Sequence, residues 1–262
     1  MAKTKRRSSR ARSRARADKQ KVIDPPFSSR LHKGTKASSE CALCKNKYHY
    51  QDYMIFSQYL EHLLHTEKIS TEVRVPKDFS DMTLGLELSS GDIKPYYVSE
   101  KDFMSNIRSG MKDKKTKFIP VILNLEITSD DNHANVLVIN KNTNEIELFE
   151  PHGYRTSAST LGGIASAYQK KMRYLKRYWK ARLSTYKVVN VVDSVKRTAF
   201  QTEKDPDDHS GYCITWSLLY THYRILNPDI STTTLLSHID HKITTRLLMR
   251  YAKHVEETLK SL

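Results

Sequence analysis

Apolar residues recur along this chain with two different periods. Over residues 51–65 (QDYMIFSQYLEHLLH), Met54, Ile55, Tyr59 and Leu63 fall on one face at helical spacing, which predicts an amphipathic helix. The runs FIPVILNLEI (118–127), HANVLVIN (133–140) and EIELFE (145–150) are short and rich in β-branched residues, and read as strands. KNTN, between the second and third, has the length and asparagine content of a hairpin loop, so those two strands are expected to be antiparallel neighbours. Residues 164–183 lack Pro and Gly and favour a helix, and KVVNVVDSV (187–195) reads as a further buried strand. A polar loop (201–210) leads into GYCITWSLLYTHYRILNPD, whose apolar positions wrap nearly all round. The helix from Cys213 to Leu226 is therefore expected to be central and to end at Asn227-Pro228. A last helix, over about 233–260, is expected to cover an outer face.

Composition adds an appendage to this picture. The chain has 262 residues, room for one core plus a tail, and shows no internal repeat. Its net charge is +15, and the first 40 residues carry 13 Lys+Arg against 3 Asp+Glu, so +10 of the total lies there. Residues 1–39 are expected to be a disordered basic arm and residues 40–262 the globular domain. Such an arm finds polyanions by counterion release, with nucleic acid the leading partner, and a solubility tail or nuclear-import signal the alternative. Three cysteines, Cys41, Cys44 and Cys213, are too few and too unevenly placed for a disulfide scaffold, which points to a reducing, intracellular compartment. The longest apolar stretch, 118–125, is far short of the roughly 20 residues that span a bilayer, so no membrane partner is expected.

Cys213 is the residue on which chemistry centres. A thiolate is the nucleophilic form of cysteine, and a free thiol needs an imidazolium or a helix N-terminus to favour it. Cys213 opens a helix after Gly211-Tyr212, where unpaired backbone N–H groups and the positive end of the dipole lie. The alternative is a small buried hydrophobe. The hairpin brings partners. If Asn140 faces Glu145, counting back pairs Asn135 with Glu150, and the period of two places His133, Asn135 and Glu150 on one face, His133 and Glu150 as diagonal neighbours.

With these residues the chain resembles the SUMO-protease and adenoviral-protease superfamily, the clan CE cysteine peptidases, in the form encoded by large DNA viruses of eukaryotes. The resemblance covers about residues 118–230 and rests on HANVLVINKNTNEIELFEPHG and DDHSGYCITWSLLYTHYRILNPD, with the order His, acid, Gln, Cys. It implies an α+β fold, a mixed or antiparallel central sheet packed on a central helix that starts at the nucleophilic cysteine, with helices around it. It also implies roles: Cys213 as nucleophile, His133 as general base and then acid, Glu150 as the group that fixes the imidazole tautomer, and Gln201 as oxyanion-hole donor beside the backbone N–H of Cys213. The sequence departs from the pattern at Ala134, where many relatives have Trp, at Ile214, where many have Gly, and in the greater distance of Gln201 from the cysteine.

The implied reaction is acyl transfer from a polypeptide substrate, either a ubiquitin-like-modifier conjugate or a viral structural protein, by an enzyme of the host cytoplasm or nucleus that is packaged in the virion. No cofactor is implied beyond nucleic acid as an activator, as in the adenoviral relatives. Two alternatives stay open: an inactive, nucleic-acid-associated virion component on the same fold, and an acetyltransferase using the same three residues. Two further features lie outside the triad. Cys41 and Cys44 with His49, His62 and His65 have the ligand types for zinc without the usual spacing, and no metal site is expected. Residues 168–187 carry eight Lys+Arg, no acid, and Tyr168, Tyr174, Tyr178 and Trp179; this is either a second nucleic-acid contact or a solvated helix whose aromatics face the core.

Overall fold

A computed structural model describes residues 21–30, 50–67, 72–89, 92–97, 99–126, 132–151, 162–195, 200 and 212–262. Six strands form one mixed sheet: β1 (Thr83–Ser89), β2 (Asp92–Tyr96), β3 (Phe118–Glu126), β4 (Asn132–Asn140), β5 (Glu145–Phe149) and β6 (Lys187–Asn190). Their spatial order is β2-β1-β3-β4-β5-β6. The β1/β3 and β5/β6 pairs are parallel and the others antiparallel. The described helices are α1 (Tyr50–Thr66), α2 (Glu100–Lys112), α3 (Gly162–Arg182), α4 (Cys213–Leu226), α5 (Thr232–Lys242) and α6 (Thr245–Lys260). This is the α+β arrangement that the sequence implied.

The sheet is covered on both faces, which is why β3 and β4 read as continuous apolar runs rather than alternating ones. Strand parity sorts their side chains into two cores. Phe118, Ile122, Ala134, Val136, Val138 and Phe149 pack with α1, α4, α5 and α6. Ile119, Val121, Leu123, Leu137, Ile139, Ile146 and Leu148 pack with α2 and α3. Helix α4 is the centre of the first core, every residue from Cys213 to Ile225 being buried.

The β4–β5 hairpin closes as its turn chemistry predicts. Asn140 pairs with Glu145, the loop residue Asn144 takes the left-handed conformation (φ 56) that Asn tolerates well, and Asn140 Oδ1 accepts from Asn142 N at 3.0 Å. One charged pair ties this hairpin to α4. Arg224 donates to both carboxylate oxygens of Glu147 at 3.1 Å, and the carboxylate also accepts from Tyr220 (2.6 Å), Asn140 (2.8 Å) and Thr232 (3.0 Å).

Four expectations are corrected. On α1 the buried stripe is Phe56, Tyr59, Leu60 and Leu63, whereas Met54 faces solvent, a rotation of the apolar face that brings Tyr59 against His222 and Tyr251. The strand expected over 187–195 stops at Asn190, whose side chain accepts from Val192 N and turns Val191–Ser194 into a 3-10 helix. The single helix expected over 233–260 is two, because Thr244 leaves helical geometry and caps α6 by accepting from Leu247 N.

The fourth concerns residues 21–30, which fall in the stretch expected to be a disordered arm and are instead an extended strap on the α4, α5 and α6 layer. Asn227 brackets Ile23, accepting its N–H at 2.7 Å and donating to its carbonyl at 2.8 Å. Asp24 takes hydrogen bonds from Tyr223 (3.0 Å), His238 (2.8 Å) and Lys242. Ser28 exchanges hydrogen bonds with Arg250 and donates to Glu257 at 2.9 Å. Polar anchors hold this segment together with Val22 and Phe27, which pack on the first core, Phe27 edge-on to Tyr251.

Two stability predictions follow from these contacts. Glu147→Gln leaves the buried guanidinium of Arg224 without its counter-charge and is expected to cost about 3–5 kcal/mol, as for broken buried ion pairs, in urea unfolding monitored by circular dichroism; a cost below about 1 kcal/mol contradicts it. Burial alone would raise the Asp24 carboxyl, but hydrogen bonds from Lys242, His238 and Tyr223 outweigh burial and hold it below its usual 3.8. Its stabilisation is therefore present above that value and is lost as the pH falls through the lower folded one. Melting temperatures of Asp24→Asn and wild type should converge toward acid pH; a constant gap between pH 7 and 3 counts against this.

Candidate active site

Strand β4 begins one residue before His133, and β5 ends one residue before Glu150. Val136 pairs with Phe149, so the register continues to place Asn135 opposite Glu150, as the hairpin count predicted. Parity turns His133, Asn135 and Glu150 to the same face of the sheet, and all three are buried. His133 Nε2 lies 2.5 Å from Glu150 Oε1 and 2.8 Å from Asn135 Nδ2. The same Asn135 nitrogen donates a hydrogen bond to Ala134 O at 2.9 Å.

Cys213 is the first residue of α4 and carries a buried thiol that forms no disulfide among the described residues. Tyr212 caps the helix by position and its side chain does not cap the first-turn N–H groups, near which the sulfur sits. The His133 ring is hydrogen-bonded to the Cys213 side chain as well as to Glu150. The three residues that the sequence singled out are thus joined in one chain, carboxylate to imidazole to thiol.

Electrostatics favour a charged imidazole here. Burial, the largest influence, pulls the His133 pKa down; the Glu150 carboxylate, the hydrogen bonds to Cys213 and Glu150, and the charge of Cys213 raise it more, to about 9. An imidazolium beside a sulfur stabilises the thiolate, the form that attacks carbonyl carbon. The environment therefore suits nucleophilic catalysis near neutral pH.

The sequence reading missed Lys171. From α3, its Nζ donates to Glu150 Oε2 and, at 2.6 Å, to Asn135 Oδ1. A signal was present: Lys171 stands four residues before Leu175 and eight before Trp179, on the apolar stripe of α3, where a lysine is out of place unless paired. The rest of the 168–187 segment divides between the two readings. Tyr178 and Trp179 are buried in the core, whereas Lys170, Arg173, Tyr174 and Arg177 line, with Lys94 and Asp92, an open cleft of about 420 Å³.

Gln201 lies outside the described residues. Its predecessor Phe200 is buried, donates its N–H to Pro151 O at 2.8 Å, and packs its ring on Phe149 and Trp216 at centroid distances of 5.4 and 5.2 Å. Ala134 and Ile214, where the sequence departs from its relatives, are both core residues. Cys41, Cys44 and His49 are outside the described residues too; His62 is stacked on Tyr59 and His65 is exposed on α1. Among the described residues no group of three or more His, Cys, Asp or Glu side chains is placed to hold a metal ion.

No family model matches this chain. No curated protein matches it either. Among solved structures it is similar to the C-terminal Ulp1 protease domain in complex with Smt3, the yeast ortholog of SUMO, at 11% identity and a TM-score of 0.40, over 94% of this chain and 91% of that one. It is also similar to ChlaDub1 from Chlamydia trachomatis, at 10% identity and a TM-score of 0.42, over 86% and 94% of the two chains. SUMO protease Ulp1 with its catalytic cysteine oxidised to a sulfonic acid gives 11% identity and a TM-score of 0.39, over 85% and 81%. The chemistry of the site rests on its own distances.

The raised His133 pKa is measurable by NMR of the labelled imidazole. In wild type the midpoint is expected near 9, and in Glu150→Gln it should fall, because the carboxylate that raises it is gone. Since the folded value exceeds the unfolded 6.5, protonated His133 stabilises the fold fully below 6.5, and that contribution is lost as the pH rises through about 9. A wild-type midpoint at or below 6.5 would contradict this electrostatic picture.

Proposed function

We propose that this protein is a thiol peptidase with Cys213 as nucleophile, His133 as general base and acid, and Glu150 as the residue that orients the imidazole. The observation that carries the reading is the hydrogen-bonded chain from Glu150 through His133 to Cys213, with the sulfur at the N-terminus of a buried helix.

Chemistry follows from the chain of bonds. His133 Nε2–H donates to Glu150, which leaves Nδ1 to serve the sulfur. The thiolate attacks the scissile carbonyl carbon, forming a C–S bond while the carbonyl π pair moves onto oxygen. That oxyanion is stabilised by the Cys213 backbone N–H and by Gln201, whose neighbour Phe200 packs on Trp216 of the first turn of α4. Collapse breaks the C–N bond as the imidazolium gives its proton to the departing amine, leaving a thioester. A water then attacks the thioester carbonyl, His133 takes its proton, and the carboxylic acid leaves as the thiol is regenerated.

The substrate is a polypeptide, either a ubiquitin-like-modifier conjugate or a viral structural protein, in keeping with the sequence resemblance, and the setting is an infected cell's cytoplasm or nucleus and the virion. The basic residues 1–20 hold nucleic acid, with the exposed Lys94, Arg173 and Arg177 and the half-buried Lys170 as a second contact. The arm is tested by deleting 1–20, not 1–39, because the longer deletion also removes the docked strap. Polynucleotide affinity and its salt dependence should drop; unchanged values would reject the arm as the tether.

Vinyl-sulfone or aldehyde probes of ubiquitin-like modifiers, and candidate virion precursors, test the peptidase reading directly. Wild type is expected to form a covalent adduct at Cys213 and to cleave a precursor, Cys213→Ser to do neither, and His133→Ala to lose about 10²–10⁴-fold in kcat/KM. Absence of adduct and cleavage with wild type would leave an inactive virion component as the better description. An acetyl thioester on Cys213, formed with acetyl-CoA and seen by mass spectrometry, would instead assign acetyl transfer.

A further inference from the structure

We propose that Lys171 is a positioning residue of this site: its ammonium fixes the direction of the Asn135 amide and seats the Glu150 carboxylate against His133. The inference rests on the peptidase reading of Cys213, His133 and Glu150 and deepens it.

A lysine is rarely buried, because its charge loses hydration that only a counter-charge and further acceptors restore. Lys171 is 1% exposed, on a helix whose outer face offers solvent to Arg173, Lys176, Arg177 and Lys180. Its partners are Glu150 Oε2 and Asn135 Oδ1, and both of those residues touch His133 Nε2. The buried charge is thus spent on the two groups that surround one nitrogen of the general base.

An ammonium has only donors, so it selects the oxygen of the Asn135 amide. The NH2 end must then face the other way, where it donates to Ala134 O and lies 2.8 Å from His133 Nε2. The amide NH2 cannot accept a proton, so when Nε2 carries one its acceptor is Glu150 Oε1. A reversed amide would offer Oδ1 to the same proton and compete with the carboxylate. Lys171 therefore removes a second acceptor beside Nε2 and leaves that proton to Glu150.

Charge enters as well. In the imidazolium–thiolate state Lys171, Glu150, His133 and Cys213 alternate in sign and sum to zero. Without the ammonium the same buried group carries a net negative charge, which binds the proton of His133 more tightly and makes the imidazolium a poorer acid toward the departing amine. Lys171 thereby tempers the carboxylate that raises the imidazole.

The test combines titration of the His133 imidazole by NMR, which needs no turnover, with kinetics normalised to sites that react with a thiol probe. In Lys171→Met the His133 midpoint and the alkaline limb of kcat/KM should both move up by about one pH unit, the scale of a lost unit charge at this range. At neutral pH kcat should fall at least ~10-fold with KM little changed, as for a group that acts on the transition state. Lys171→Arg, which keeps the charge, should return the midpoint to that of wild type. A Lys171→Met midpoint that is unmoved or lowered overturns the proposal. Where that variant does not fold, Asn135→Ala, which keeps the ion pair, decides: ~10-fold lower kcat per reactive site supports the amide's role, and a kcat equal to that of wild type overturns it. Failure of wild type to react with any thiol probe sinks the peptidase reading alone, since the His133 titrations still report on Lys171.

Discussion

Everything in the first core is indexed by the buried ion pair between Arg224 and Glu147. Helix α4 is buried on all sides, and a helix with no solvent face has little in its apolar surface to stop it sliding by a turn. Arg224 supplies the stop, because its guanidinium is stable at this depth only where Glu147 meets it and where Asn227 O, Ile230 O and Thr232 Oγ1 take its remaining protons. The distances then match. From Cys213 to Arg224 the helix rises roughly 16 Å. From His133 to Val138, the residue opposite Glu147, β4 advances roughly 17 Å. A clamp at one end of α4 therefore sets the thiol level with the imidazole at the other.

Strand β5 serves both ends of this arrangement through its parity. Glu147 and Glu150 are three residues apart, an odd step, so one carboxylate faces α4 and the other faces α3. The first fixes the helix that Cys213 opens; the second, beyond the last paired residue of β5, meets His133. His133 bridges the two layers because it lies at the end of β4, where the sheet no longer separates them. A buried polar cluster on each face requires each member to be satisfied, and the hydrogen bonds of both carboxylates meet that demand.

What the sequence disclosed and what it concealed divide along the same line, local against long-range. The hairpin was legible because a four-residue turn with Asn144 sets its register, and a period of two then assigns faces with no further information. The start of α4 was legible from Gly211-Tyr212 and its end from Asn227-Pro228. Hidden were features whose partners are distant in the chain. The strap has the composition of an unpacked segment and is fixed by Asn227, Tyr223, His238 and Arg250, some 200 residues later. Strand β2 gave no clear period, because it is an edge strand with mostly exposed positions, whereas helix α2 carried one, Phe103, Ile107 and Met111 at helical spacing, that the sequence reading did not use. Lys171 was passed over as one basic residue among eight, although its place on the apolar stripe set it apart.

The strap and the thiol occupy opposite ends of the same helix. Ile23 is bracketed by Asn227, just past the end of α4, whereas Cys213 is the first residue of that helix. The fourteen residues between those ends span roughly 21 Å. The described chain therefore enters the fold at the end of α4 remote from Cys213. The two ends of α4 are thus fixed by separate contacts, Asn227 with the strap at one and His133 with Cys213 at the other, while the buried charges of Lys171 and Arg224 each meet a carboxylate.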